Sequence, residues 1–191
     1  DNGGYGGITG QEPLRGSKGM LYEGGIRVPM LVRLPNGENK GIENTPVMSM
    51  DLYPTLTSYC DIDTEELTLD GIDLSPRFAK GGSLSTERAV YWHFPCYLQR
   101  YAGLKNNSPF RCVPSSAIRK GDWKLIHSYE TGEIELYNLA ADIGETNDLS
   151  TQNQEIAKSL YGELEAWRKR LKAGVPTVKN PRYDPNAKFI K

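Results

Sequence analysis

The sequence predicts an α/β chain in two parts, and three observations carry that reading. A proline-bounded apolar run, Arg27-Val28-Pro29-Met30-Leu31-Val32-Arg33-Leu34-Pro35, is followed by apolar positions at helical spacing, which makes a strand-then-helix layer in residues 1–85. Short β-branched and aromatic runs separated by glycine turns then form a four-stranded antiparallel sheet in residues 86–191. An apolar stripe near the C-terminus, recurring every three or four residues, gives one long helix to cover that sheet.

In chain order, residues 1–19 hold Gly3, Gly4, Gly6, Gly7, Gly10, Gly16 and Gly19, a density that favours an irregular loop over regular structure. The run from Arg27 to Pro35 suits a short buried strand. Ser49 stands before Met50, Leu52, Tyr53, Leu56 and Tyr59 as a helix N-cap. Residues 61–87 are polar and turn-rich, with Asp70-Gly71, Ser75-Pro76 and Gly81-Gly82-Ser83, and the domain boundary is expected near their end. The strands of the second part run from Ala89 to Phe94, Ser116 to Arg119, Trp123 to Tyr129 and Glu133 to Leu139. Lys120-Gly121-Asp122 and Glu130-Thr131-Gly132 supply turns between them. From Gln154 to Leu171, Ile156, Leu160, Leu164, Trp167 and Leu171 form the helical stripe, and residues 174–191 make an irregular tail.

A net charge of -1 gives no bulk electrostatic reason to expect nucleic acid, and no apolar run reaches the roughly 20 residues a membrane span needs. The three cysteines, Cys60, Cys96 and Cys112, have neither CxxC nor Cys/His spacing, which argues against structural zinc and a disulfide framework; a Cys96–Cys112 bridge stays open. The chain opens at Asp1 inside a glycine-rich loop, so the expectation is a fragment or processed product with a portion missing upstream.

Few residues offer chemistry. Asp1 and Asn2 present a carboxylate and an amide carbonyl, hard oxygen donors of the kind calcium and magnesium prefer, although Asp-Asn-Gly is also an ordinary turn sequence. Arg15 and Lys18 put two cations in one glycine-bounded stretch where an oxyanion could approach, or simply two solvated charges. The glycines follow neither GxxxxGK[ST] nor a strand-GxGxxG-helix pattern, so a phosphate-cradling nucleotide loop drops out.

The ordered set Asp1-Asn2-Gly3, Pro13-Leu14-Arg15-Gly16-Ser17-Lys18-Gly19 and Tyr22-Glu23-Gly24-Gly25-Ile26-Arg27-Val28-Pro29 resembles type I sulfatases. The likeness continues through Ser49-Met50-Asp51-Leu52-Tyr53-Pro54-Thr55-Leu56, Asp70-Gly71, Tyr91-Trp92-His93-Phe94-Pro95, the run from Ala117 to Ile126, and Glu135-Leu136-Tyr137-Asn138-Leu139. The resemblance implies that residues 1–85 end an alkaline-phosphatase-like parallel-sheet catalytic domain and that residues 86–191 are the small C-terminal subdomain. It also implies Asp1 and Asn2 as ligands of a divalent cation, usually calcium with magnesium the alternative, and Lys18 as the catalytic sulfate contact. Arg15 either joins Lys18 on the substrate or pairs a carboxylate, while Glu23 and Arg27 are spaced as structural partners.

The family's nucleophile is a formylglycine made from a Cys/Ser-x-Pro-x-Arg motif upstream of the Asp-Asn pair. Cys112-Val113-Pro114-Ser115-Ser116 has serine where that motif has arginine, so the nucleophile is expected in a missing N-terminal part and this chain alone is expected to be inactive. His93 is read either as a half-buried strand histidine or, with Tyr97, Arg100 and Arg111, as a substrate-binding residue shaping specificity. His127 is expected to face solvent without a role. Trp92, Trp123 and Trp167 read as core residues or as a sugar-stacking platform. The implied partners are a sulfated small molecule or glycan and the N-terminal part of the same sulfatase, in a secreted, periplasmic or lysosomal parent. The alternatives are a non-catalytic glycan- or partner-binding fragment, and a metal-dependent phosphatase or phosphodiesterase relative.

Overall fold

The computed structural model describes residues 2–34, 41–78, 84, 88–101, 104, 110–178 and 181–182. They fall into two compact units, one built from residues 1–29 together with 91–191 and the other from 30–90.

The larger unit is organised on a four-stranded sheet in the order β1-β4-β5-β6, formed by β1 (Ala89–Phe94), β4 (Ser115–Lys120), β5 (Trp123–Ser128) and β6 (Ile134–Asn138). A second sheet pairs β2 (Leu98–Gln99) with β3 (Phe110–Cys112). The expected turn at Lys120-Gly121-Asp122 joins β4 to β5, with Gly121 in the left-handed region at φ 56°. Register then sorts the side chains by face. Ile118, Leu125 and Leu136 oppose one another across the strands and are fully buried, while the next set on the opposite face is Arg119, Lys124 and Tyr137.

The first face is covered by α4 (Gln154–Leu171), whose Ala157, Leu160 and Leu164 form the buried stripe. Lys172, at φ 52°, ends the helix in a left-handed cap. Trp167 on this helix stacks on Tyr91 of β1, with centroids 4.7 Å apart and planes 5° from parallel, which makes it a packing residue. His127 departs from the solvent-facing expectation. Its strand has both faces covered, and the ring lies edge-on to Tyr129 and Tyr161. Burial first, and Arg168 second, hold it below the usual histidine range.

The second face is covered by the N-terminal segment. Leu21 packs with Ala117, Ile126, Tyr137 and Leu139, flanked by Tyr22, Ile26, Trp92 and Phe94. The sheet is therefore enclosed by a helix on one side and by an irregular, glycine-rich layer on the other. That layer contains the short helix α1 (Glu23–Ile26).

The smaller unit contains a 3-10 turn at Ser49–Asp51 that runs into α2 (Leu52–Tyr59), and then α3 (Ser75–Phe78). Met48, not Ser49, caps the turn, because the Asp51 carboxylate reaches back to accept the Met48 N–H at 2.7 Å. Asp51 also accepts the Ile72 N–H at 3.0 Å and a two-pronged contact from Arg88 at 2.6 and 2.7 Å. Buried completely, Asp51 ties the turn to Ile72 and Arg88 through charge-assisted hydrogen bonds.

The strand expected from Arg27 to Pro35 is not formed across residues 27–34, and Pro35 lies outside the described residues. Strand hydrogen bonds need a neighbouring strand, and among the described residues none lies beside this run. Its Leu31 is 99% exposed.

Candidate functional site

The glycine-rich layer folds by close backbone approach. The Gly3 N–H bonds the Gly25 carbonyl at 3.0 Å, the Lys18 N–H bonds the Gly4 carbonyl at 2.9 Å, and the Gly24 N–H bonds the Arg15 carbonyl at 2.7 Å. A Cβ on Gly3 would overlap the Gly24 carbonyl, and a Cβ on Gly25 would collide with the Met20 carbonyl and lie 2.6 Å from that of Ser17. These contacts bring Asn2 and Lys18, sixteen positions apart, onto one small platform. Asp1 lies outside the described residues.

Asn2 is exposed, so its amide oxygen suits a hard cation. Asp1 and Asn2 would be two of the roughly six to eight oxygens that calcium takes. Among the described residues no group of three or more His, Cys, Asp or Glu side chains adds a further ligand set. The donor chemistry therefore fits a calcium or magnesium ion in part, with other ligands required from elsewhere.

Arg15 reaches toward the sheet. Its Nη1 donates to the Tyr137 hydroxyl at 2.7 Å and to the Glu145 carbonyl at 2.8 Å, and lies 3.8 Å from the Glu135 carboxylate. The guanidinium also covers the Tyr22 ring at 3.9 Å. Of the two expected roles, pairing a carboxylate is the one these contacts describe. Burial works against its charge, but the tyrosines and Glu135 outweigh this and raise its pKa.

Beneath the platform sits a buried charge cluster that sequence reading did not assemble. Lys124 Nζ lies 3.0 Å from Glu23 Oε1 and 2.8 Å from Glu145 Oε1, and all three side chains are buried. Glu145 Oε2 accepts the Glu23 N–H at 2.7 Å. Arg27 and Arg119 each approach Glu23 Oε2 at 3.5 Å, so the expected Glu23–Arg27 partnership is present within a larger network. Burial pushes the Glu145 carboxyl up, opposed by Lys124. Glu145 reaches this position through a left-handed backbone at φ 51°, for which an ordinary glutamate gives no sequence signal.

The sheet of β2 and β3 packs over the same platform. The Ser17 hydroxyl bonds the Tyr101 hydroxyl at 3.3 Å, Tyr101 packs on Tyr5 at 5.3 Å, and Arg111 lies over the Tyr5 ring at 5.3 Å. Between these parts opens a cavity of about 1030 Å³, whose walls include Arg15, Tyr22, Tyr101, Phe110, Arg111 and Glu135.

His93 is not among the residues lining that cavity. Its Nδ1 lies 2.8 Å from both the Ser116 and Tyr129 hydroxyls, and its Nε2 lies 2.9 Å from the Gly174 carbonyl. Both ring nitrogens thus have partners within this unit, on strand β4, at Tyr129 and at the Gly174 carbonyl. The cysteines are all free, and burial pushes the Cys112 thiol up to about 11, so the Cys96–Cys112 bridge is absent.

The chain is thus mixed α/β, with a four-stranded antiparallel sheet, a second small sheet and one long covering helix. The sequence family described as N-sulphoglucosamine sulphohydrolase, C-terminal, matches residues 16–170. Over its whole length the chain is 32% identical to a sulfatase of Formosa agariphila, covering 37% of that protein. It is 31% identical to arylsulfatase J of Mus musculus, over 97% of this chain and 36% of the relative. The crystal structure of Ps i-CgsB in complex with k-i-k-neocarrahexaose has a TM-score of 0.69 at 30% identity, over 87% of this chain and 34% of that one. The chain belongs to the type I sulfatase family, and it spans little more than a third of each of these relatives. Among the described residues no helix is long and apolar enough to cross a membrane.

Proposed function

We propose that this chain is the C-terminal portion of an enzyme hydrolysing sulfate esters of carbohydrates or aryl sulfates, to which it contributes metal and sulfate ligands. The supporting observation is the 2.9 Å bond from the Lys18 N–H to the Gly4 carbonyl, which holds a hard oxygen donor and an ammonium group on one rigid backbone platform. Lys18 contacts the sulfate oxygens, and Asp1 and Asn2 hold a divalent cation, calcium or magnesium. The cation supplies Lewis-acid neutralisation of the sulfate when bound. The Lys18 ammonium offsets the charge that develops as the S–O bond breaks. Arg15, engaged with Tyr137 and Glu145, positions the segment that carries Lys18.

The carbohydrate class is favoured by the neocarrahexaose complex of Ps i-CgsB, and the aryl class by arylsulfatase J. Residues 1–85 are assigned to the catalytic domain and 86–191 to its C-terminal subdomain. The missing nucleophile region is assigned to an N-terminal part of the same protein, without which this chain is inactive. In the smaller unit, Leu31, Tyr53 and Leu56 are 99%, 53% and 61% exposed, an apolar surface suited to contact with that part. A secreted, periplasmic or lysosomal parent is proposed on family resemblance alone.

The test is kinetic, in the full-length protein. Lys18→Ala lowers kcat/KM on a sulfate ester by about 100- to 1,000-fold without moving the thermal midpoint, as expected for loss of one oxyanion contact. Asn2→Ala weakens the thermal stabilisation produced by added calcium, a readout independent of turnover. Wild-type rates and an unchanged calcium response in both variants would overturn the proposal.

A further inference from the structure

We propose that Arg111 is a substrate-binding residue that holds a second anionic group, sulfate or carboxylate, on the sugar unit next to the one being desulfated. The inference rests on the sulfatase reading above and extends it from the reacting sulfate to the rest of the substrate.

The argument begins with how Arg111 is placed. Strand β3 pairs antiparallel with β2 through a bulge between Leu98 and Gln99, and this irregular sheet packs against the loop that carries Lys18. A Cβ added at Gly19, the residue after Lys18, would overlap Leu98 and sit 3.5 Å from Arg111 Nε and 3.7 Å from Nη2. Gly19 has φ 88°, so the loop turns sharply here and leaves the guanidinium room beside the platform.

Its chemistry is also unspent. The Nε of Arg111 is buried without a hydrogen-bond partner, and no carboxylate among the described residues pairs with its charge. Its guanidinium instead lies over the face of Tyr5 at 5.3 Å. A buried donor of this kind is costly unless something accepts from it. Arg15, which lines the same cavity, shows the contrast, since its guanidinium is committed to Tyr137, Glu145 and Glu135.

The cavity supplies the remaining recognition. Tyr22, Tyr101 and Phe110 give it aromatic walls, and Arg111 gives it a planar donor fork suited to a sulfate or carboxylate. At about 1030 Å³ it has room for a saccharide unit beyond the reacting ester. The implied substrate is therefore a polyanionic glycan whose neighbouring residue also bears a charge.

The experiment compares the full-length wild type with Arg111→Met and Arg111→Lys on a disulfated disaccharide and a simple aryl sulfate. Expected is a loss of about 10- to 100-fold in kcat/KM on the disaccharide, carried by KM, with partial recovery in Arg111→Lys and little change on the aryl sulfate. Calorimetric binding of the disaccharide, with calcium present, gives the same ranking without turnover. An equal loss on both substrates, or unchanged disaccharide binding, overturns the inference and leaves the sulfatase reading standing. If the wild type hydrolyses neither ester while disaccharide binding still depends on Arg111, the sulfatase reading fails and the anion site stands.

Discussion

The Lys124 ammonium lies 3.0 Å from the Glu23 carboxylate in a fully buried contact that joins strand β5 to the glycine-rich layer. Glu145 completes the arrangement at 2.8 Å from the same ammonium, so one cation faces two carboxylates with no exposed side chain among them. The cluster fixes the layer that carries Lys18 against the sheet.

Removal of Lys124 leaves two carboxylates buried without their shared partner. Lys124→Ala is expected to cost about 3–5 kcal/mol of stability, measured by denaturant unfolding of the full-length protein. A loss under about 1 kcal/mol would mean that water reaches the cluster in solution.

Asp51 and Arg88 give a pH-dependent counterpart in the smaller unit. Burial opposes ionisation of Asp51, but Arg88 and the N–H groups of Met48 and Ile72 outweigh it and hold the carboxyl below its ordinary range. Because the folded value is depressed, this contribution is complete above about pH 4 and is lost as pH falls through the folded value. Unfolding midpoints should drop over that acid window in the wild type, and Asp51→Asn should flatten the drop while lowering stability at neutral pH.

His127 titrates in a different window. Its depressed value means that the unfolded chain takes up a proton before the folded one, so stability declines as pH falls below about 6.5. A ring-proton titration by NMR should place its midpoint below that of a free histidine, and a midpoint at or above about 6.5 would refute the buried placement.

Gly25→Ala tests the platform. The new methyl collides with the Met20 carbonyl and presses on that of Ser17, so the turn carrying Lys18 must shift. A displacement near 1 Å at a substrate contact costs about 100-fold in kcat/KM on a sulfate ester. A variant of unchanged activity would show that the loop adapts.

The regular parts of the larger unit were readable from sequence because their signals are local. The run Ala89–Phe94 and the helix Gln154–Leu171 form with the expected ends, since alternation and helical spacing report which face is buried. The short strands Leu98–Gln99 and Phe110–Cys112 were not expected, because two or three residues carry no period. The run after Arg27 misled, since an apolar sequence is necessary for a strand but a neighbour must supply its hydrogen bonds. Of the candidate site, Asn2 and Lys18 could be named from an ordered motif. Lys124 could not be placed, because nothing in Trp-Lys-Leu announces that the lysine faces inward toward a glutamate at position 23. His93 was half legible: its strand was evident, but its bond to the Gly174 carbonyl joins residues 81 positions apart.

The bond between the Glu23 N–H and the Glu145 carboxylate spans 122 positions of sequence. During synthesis at roughly 5–20 residues per second, the glycine-rich layer leaves the ribosome about 6–24 seconds before that carboxylate exists. Until the sheet strands and Lys124 follow, late in that interval, its closely packed glycines have neither sheet nor counter-charge to settle on. Lys18 is thus among the first residues made in this region and among the last to find its place, which exposes this layer to proteases and chaperones in a nascent chain.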